Sequence, residues 1–114
     1  MKWNVFYTEQ AENDLRSIYE YIAYSLFVPN TAKKQTKAIM DEVGALETMP
    51  LRYPVYDKEP WKSKGLRYFP VNNYLVFYLP VEEKNTVVIV RIMYGGRNIE
   101  EQLSQDNNIA SITI

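Results

Sequence analysis

The sequence predicts a two-layer α+β domain of order β-α-α-β-β-β, an antiparallel sheet covered by a helix hairpin. Three observations predict it. Ala11, Leu15, Ile18 and Ile22, and then Ala32, Thr36, Ile39, Val43 and Leu46, recur at the three- and four-residue spacing of a helix face. The stretches "LRYFPV", "YLVFYLP" and "TVVIVRIMY" are rich in β-branched and aromatic residues and are separated by short turns. A helix pair and a sheet each present one apolar face, and each buries it on the other. The 114 residues suit one compact domain, with no internal repeat and no linker. The domain is expected over residues 1–103. Residues 104–114, a polar run followed by Ile109, Ile112 and Ile114, form a tail that is either disordered or an added edge strand.

The elements follow in order. "KWNVFY" reads as a first strand over about Lys2 to Tyr7. Thr8 is placed to cap a helix running to about Ser25, with Glu9 and Glu12 complementing its dipole. Pro29 breaks the helical run because it cannot continue the hydrogen-bond ladder. Asn30 or Thr31 caps the second helix, which ends at Pro50, and Lys37 and Asp41 lie four apart for a weak surface pair. Gly44 inside that helix implies that something packs closely against it. "LRYPVYDKEPWKSKG" has no periodicity and reads as a long loop. The pair Asn72-Asn73 suits a tight hairpin turn, and "EEKN" makes a second. Pro70 marks its strand as an edge strand or a bulged one.

Composition excludes several chemistries. There is no cysteine and no histidine, so disulfides, thiolate metal sites and imidazole acid–base catalysis are out. No metal and no cofactor are expected. No apolar stretch approaches the ~20 residues of a membrane span, and the N-terminus lacks a signal-peptide core; a cytoplasmic protein is expected. The net charge of −1 argues against a general nucleic-acid binder, yet residues 58–97 carry seven Lys/Arg against three Asp/Glu.

That basic third contains the candidate site. Strict alternation puts Arg91 on one face with Val87, Ile89 and Met93, and Val88, Val90, Ile92 and Tyr94 on the other. An arginine in such a run requires a partner, because an unpaired buried charge is costly. Either it pairs with Glu12 or Asp14, or it lines a groove on an open sheet face. Lys62, Lys64 and Arg67 open the second strand; Tyr94 and Arg97 flank Gly95-Gly96 at the end of the last. A concave sheet would bring these groups together, and the planar arginine fork suits phosphate.

The segments "AENDLRSIYEYI", "LETMPLRYPVY", "GLRYFPVNNYLVFYLP" and "VVIVRIMYGGRNIEEQL" resemble the RelE/ParE superfamily of bacterial toxins over about residues 3 to 103. The resemblance implies a helix hairpin on a twisted antiparallel sheet. It also implies the toxin of a type II toxin–antitoxin system, neutralised by a cognate antitoxin. RelE-like members cut mRNA on the ribosome without a metal, and ParE-like members inhibit DNA gyrase without being enzymes. The expectation favours the ribonuclease, with Arg97, Arg67, Tyr94 and Lys64 as catalytic groups and Arg91 and Lys62 binding substrate. The partners would then be ribosome and mRNA; otherwise the partner is gyrase, or the module only binds its antitoxin. Two positions depart from the RelE-like pattern: Leu103 stands where those enzymes often carry Tyr or His, and Leu75 where an arginine is common. The "YGGRN" exit is similar to a ParE-type "HGRRD" exit, with Tyr94 in place of the histidine.

Overall fold

The structure is a computed structural model that describes residues 2–96 and 98–104. Strand β1 (Asn4–Tyr7) leads directly into helix α1 (Glu9–Glu20). Thr8 makes the junction. Its hydroxyl oxygen accepts the Ala11 N–H at 3.0 Å and donates to the Val90 carbonyl at 3.0 Å. One side chain therefore caps the helix and ties it to the far end of the chain. A single π turn, Tyr21–Ser25, carries α1 to its expected end.

Helix α2 (Pro29–Gly44) starts at the proline itself rather than after Asn30 or Thr31. Proline fits a first helical position because the N–H it lacks would have no partner there. The first helical run has already ended at Ser25, so the proline begins a helix and does not end one. Gly44 closes α2 before a 3₁₀ turn over Ala45–Glu47, and nothing lies within 4 Å of where its Cβ would stand. The close packing expected at this glycine is absent. Its place at a helix end makes it cheap without any contact. Lys37 and Asp41 do pair, at 2.8 Å and well exposed.

The long loop hides a short helix, α3 (Trp61–Lys64). Glu59 accepts from the Ser63 N–H and hydroxyl at 3.0 and 2.6 Å, and Gly65, at φ +80°, ends the turn. Trp61 is buried, which anchors the segment. Strands β2 (Arg67–Val71), β3 (Tyr74–Val81) and β4 (Thr86–Tyr94) then form the meander, followed by helix α4 (Ile99–Ser104). The sheet order is β1-β4-β3-β2. Strand β1 joins β4 in parallel, and the other pairings are antiparallel. Strand β2 is an edge, as Pro70 requires.

Both sheet faces are covered. The helix hairpin packs Ile18, Ile39 and Leu46 against Phe69, Tyr78 and Ile89. On the other side Trp61, Leu66 and Leu103 pack against Phe77, Val88 and Val90. The open sheet face considered for Arg91 therefore does not exist. Each fully buried Leu, Ile or Phe contributes about 1.5–3 kcal/mol.

A β-bulge corrects the expected facing of β4. Phe77 faces Arg91 while Tyr78 faces Ile89, so Val90 is the extra residue. Beyond it the alternation inverts: Ile92 joins Val87 and Ile89 under the helices, and Met93 joins Val88 and Val90. One inserted residue shifts a period of two by half a cycle.

Candidate functional site

The bulge turns the end of β4 towards α1 and creates the first part of the site. Asp14 accepts from Arg91 Nε at 2.7 Å and from a second guanidinium nitrogen at 3.0 Å. The same carboxylate accepts the Ile92 backbone N–H at 2.9 Å. Both side chains are mostly buried, at 16% and 14% exposed. Arg91 is thus held in a two-point clamp, and Asp14 also satisfies an amide beyond the end of β1. Of the roles open to Arg91 in the sequence, the ion pair with Asp14 forms, and Arg91 also lines a groove, though one beside the helix hairpin and not on an open sheet face.

Tyr94 ends β4 with its ring half exposed and set edge-on to Tyr74, centroids 5.9 Å apart. The glycine pair follows for a steric reason. A Cβ on Gly96 would stand 2.8 Å from the Tyr94 ring, and one on Gly95 would stand 3.3 Å from the Asn73 carbonyl oxygen. The Gly95 N–H donates to that carbonyl at 2.8 Å. The two glycines therefore let the Tyr94 ring fold over the turn. Tyr74 has its phenol pKa raised by burial first, with Tyr21 and Tyr94 adding to it. Arg97 lies outside the described residues.

The second basic group stands elsewhere. Arg67 shares the helix-covered side of the sheet with Phe69 and Val71, and one of its guanidinium nitrogens donates to the Tyr53 carbonyl at 2.6 Å. It reaches the Leu51 carbonyl more weakly, at 3.4 Å. Arg67 pairs across to Tyr78, whereas Tyr94 pairs across to Tyr74, the partner of Val71. Four residues along and two strands across place Arg67 and Tyr94 roughly 16 Å apart. Lys62 and Lys64 ride on α3, whose Trp61 covers the opposite sheet face. Lys62 meets Asp57 at 3.3 Å with both groups exposed, and Lys64 is exposed. The expected convergence of Lys62, Lys64 and Arg67 with Tyr94 on one surface does not occur. The reason is that Arg67 turns inward to the carbonyls of residues 51–53 while the lysines face outward from α3.

Two features went unread in the sequence. The Tyr56 hydroxyl donates to Glu100, joining the loop before α3 to α4. Burial first, and then the Glu100 carboxylate, push the Tyr56 phenol pKa up. Tyr56 also sits edge-on to Trp61, Tyr68 and Phe77. The other feature is a groove of about 710 Å³ between the hairpin tip and the β4 exit, with Asp14, Arg91, Gln35 and Tyr94 among its walls. Only the run of aromatic and aliphatic residues from Tyr21 to Val28, too long for one helix face, hinted at it. Among the described residues no cluster of acidic side chains could hold a metal ion. No helix among them is long and apolar enough to cross a membrane.

Residues 5–99 match the family described as ParE toxin of type II toxin-antitoxin system, parDE. No curated protein matches the chain. Among solved structures, the chain is similar to the chromosomal ParDE toxin–antitoxin system from P. aeruginosa. That likeness has a TM-score of 0.66 at 23% identity, over 82% of this chain and 96% of that one. The RelBE2 toxin–antitoxin complex from Mycobacterium tuberculosis gives 0.62 at 23% identity, over 82% and 99%. A free E. coli RelE mutant gives 0.61 at 11% identity, over 91% and 93%. At these identities the structural likeness speaks for the fold, which it supports over most of the chain.

Proposed function

The chain belongs to the ParE toxin family of type II toxin–antitoxin systems, and from that premise we propose that it is a ParE-type inhibitor of DNA gyrase held in check by a cognate antitoxin. One observation carries the choice of target. Two guanidinium groups offered to a scissile phosphate are committed internally, Arg91 to Asp14 and Arg67 to backbone carbonyls. RNA cleavage by 2′-hydroxyl attack needs cations poised on the pentavalent intermediate, with a base and an acid beside them. Tyr94 and the lysines of α3 instead stand on opposite sides of the sheet. The shifted phenols, Tyr7, Tyr56, Tyr74 and Tyr78, are all raised, away from the pKa a base at neutral pH requires. Binding a protein target makes no such demand.

The ribonuclease reading keeps one observation in its favour. Lys58, Lys62 and Lys64 are all exposed along and just before α3, a patch suited to RNA phosphate. In that reading Arg97, Arg67, Tyr94 and Lys64 carry catalysis, and Arg91 and Lys62 bind substrate.

Purified protein added to gyrase supercoiling reactions and to ribosomes stalled on defined mRNA separates the two. The gyrase reading expects supercoiling to stop and the mRNA to stay intact. Cut mRNA with normal supercoiling reverses the assignment. Failure in both assays, with normal growth on induction, would leave a module that only binds its antitoxin. Under either toxic reading Arg97→Ala is expected to lower toxicity at least tenfold with an unchanged thermal midpoint, read by colony counts and calorimetry.

A further inference from the structure

We propose that two copies of this chain join along their β1 edges, antiparallel about Phe6, and merge two four-stranded sheets into one. The two edges of the sheet differ. Along β2 the loop before α3 already supplies a neighbour. Val55 bridges Arg67, the Tyr68 N–H donates to the Pro54 carbonyl at 3.2 Å, and the Tyr56 N–H donates to the Leu66 carbonyl at 2.7 Å. Along the outer side of β1, among the described residues, only Trp3 is met, where its N–H donates to the Glu47 carbonyl at 2.8 Å. The Asn4 N–H donates to the Asn85 carbonyl at 2.9 Å and the Thr8 N–H to the Ile89 carbonyl at 3.0 Å. These bonds set the phase of the strand: Asn4, Phe6 and Thr8 turn their backbone groups to β4, and Val5 and Tyr7 turn theirs outward. The N–H and carbonyl groups of Val5 and Tyr7 have no partner among the described residues. Such an edge is a template for another strand.

Three observations name a second copy as the partner. The open run from Val5 to Tyr7 is centred on Phe6, between the contact at Glu47 and the start of α1 at Glu9. In an antiparallel pair about Phe6, Val5 of each copy meets Tyr7 of the other, and each such pair exchanges two hydrogen bonds. Every outward group of Val5 and Tyr7 is then satisfied. Secondly, Phe6 is 54% exposed although its neighbour on β4, Val88, is fully buried. In this register Phe6 faces its own counterpart at a position without backbone bonds, where Cα atoms approach to roughly 4.5 Å and side chains pack most closely. The third observation is charge. Lys2 precedes the strand, and Glu9 and Glu12 follow it in the first turn of α1. All three are exposed, and none makes an ion pair among the described residues. Antiparallel order brings Lys2 of each copy to the first turn of the other's α1, so the attraction occurs twice.

The seam does not depend on which target the protein has, so the full chain alone tests it. Sedimentation equilibrium at about 100 µM is expected to show a dimer that dissociates on dilution. Phe6→Asp sets two carboxylates at the closest approach and should weaken the dimer at least tenfold, with the thermal midpoint of the dilute monomer unchanged. A monomer at that concentration, or a dimer that Phe6→Asp leaves intact, overturns the proposal. A second variant does not depend on the aspartate folding well. The chain has no cysteine, so an engineered thiol reports without background. Phe6→Cys is expected to close a disulfide between two chains under mild oxidation, at least tenfold faster than Asn4→Cys. Asn4 is exposed on the same face of β1, but in this register it stands opposite Thr8. Its two copies are then roughly 14 Å apart, beyond disulfide reach. Equal rates overturn the β1 seam.

Discussion

At the scale of single residues, Asp14 does the most with one side chain. It neutralises Arg91, fixes its fork and satisfies the Ile92 amide, all in a mostly buried corner. Removing it leaves a guanidinium and an N–H without their acceptor, so Asp14→Ala is expected to cost about 3 kcal/mol by denaturant titration. The double variant Asp14→Ala/Arg91→Met should recover part of that loss, because the stranded charge goes as well. Equal or additive losses would show that the pair does not act as a unit. The tyrosines make a different prediction. Burial raises the phenol pKa of Tyr7, Tyr56, Tyr74 and Tyr78 above the ordinary value near 10. The unfolded chain therefore loses these protons first as pH rises. The stability they contribute is whole below about pH 10 and drains away above it. Thermal midpoints should fall steeply above that pH, with tyrosinate absorbance appearing together with unfolding. A midpoint indifferent to pH up to about 11 would contradict the burial of these rings.

At the scale of elements, local chemistry announced most of what forms. Thr8 with its acidic first turn, Pro29 at a helix boundary, Asn72-Asn73 in a hairpin and Pro70 on an edge each act on their immediate neighbours. Such signals survive in a sequence because they need no tertiary partner. The parts that escaped reading depend on distant contacts. Helix α3 exists because Trp61 finds Val88, Val90 and Phe77, residues far along the chain. The bulge at Val90 comes from the fit of β4 to β3, and no residue type marks it. It decided the site: it inverted the facing of Ile92 and Met93 and made strict alternation misplace Arg91. The separation of Arg67 from Tyr94 was likewise invisible, because the register of three strands sets it. Helix α4 is only six residues long and cannot stand alone in water. Leu103, 1% exposed, and the Tyr56–Glu100 bond hold it down. Leu103→Ala should cost about 2–3 kcal/mol and raise amide exchange in α4 well before β4 responds. Simultaneous loss of protection in both elements would mean that α4 is an integral part of the core.

At the scale of the whole molecule, the sheet decides how the domain comes together. Strand β1 is made first yet, among the described residues, pairs only with β4, and Thr8 and the Val90 carbonyl that it bonds lie 82 positions apart. Long-range closure of this kind slows folding, so refolding in milliseconds to seconds is expected in stopped-flow experiments. A microsecond phase carrying the full amplitude would speak against closure of the sheet as the limiting step. The same pairing has a consequence during synthesis. A growing chain carries its opening strand without a mate until almost the last residues of the domain have left the ribosome. A product that stops short of β4 cannot complete the sheet, whatever else of the domain it carries. Any guardian that must capture it folded has a clear starting moment, the release of β4.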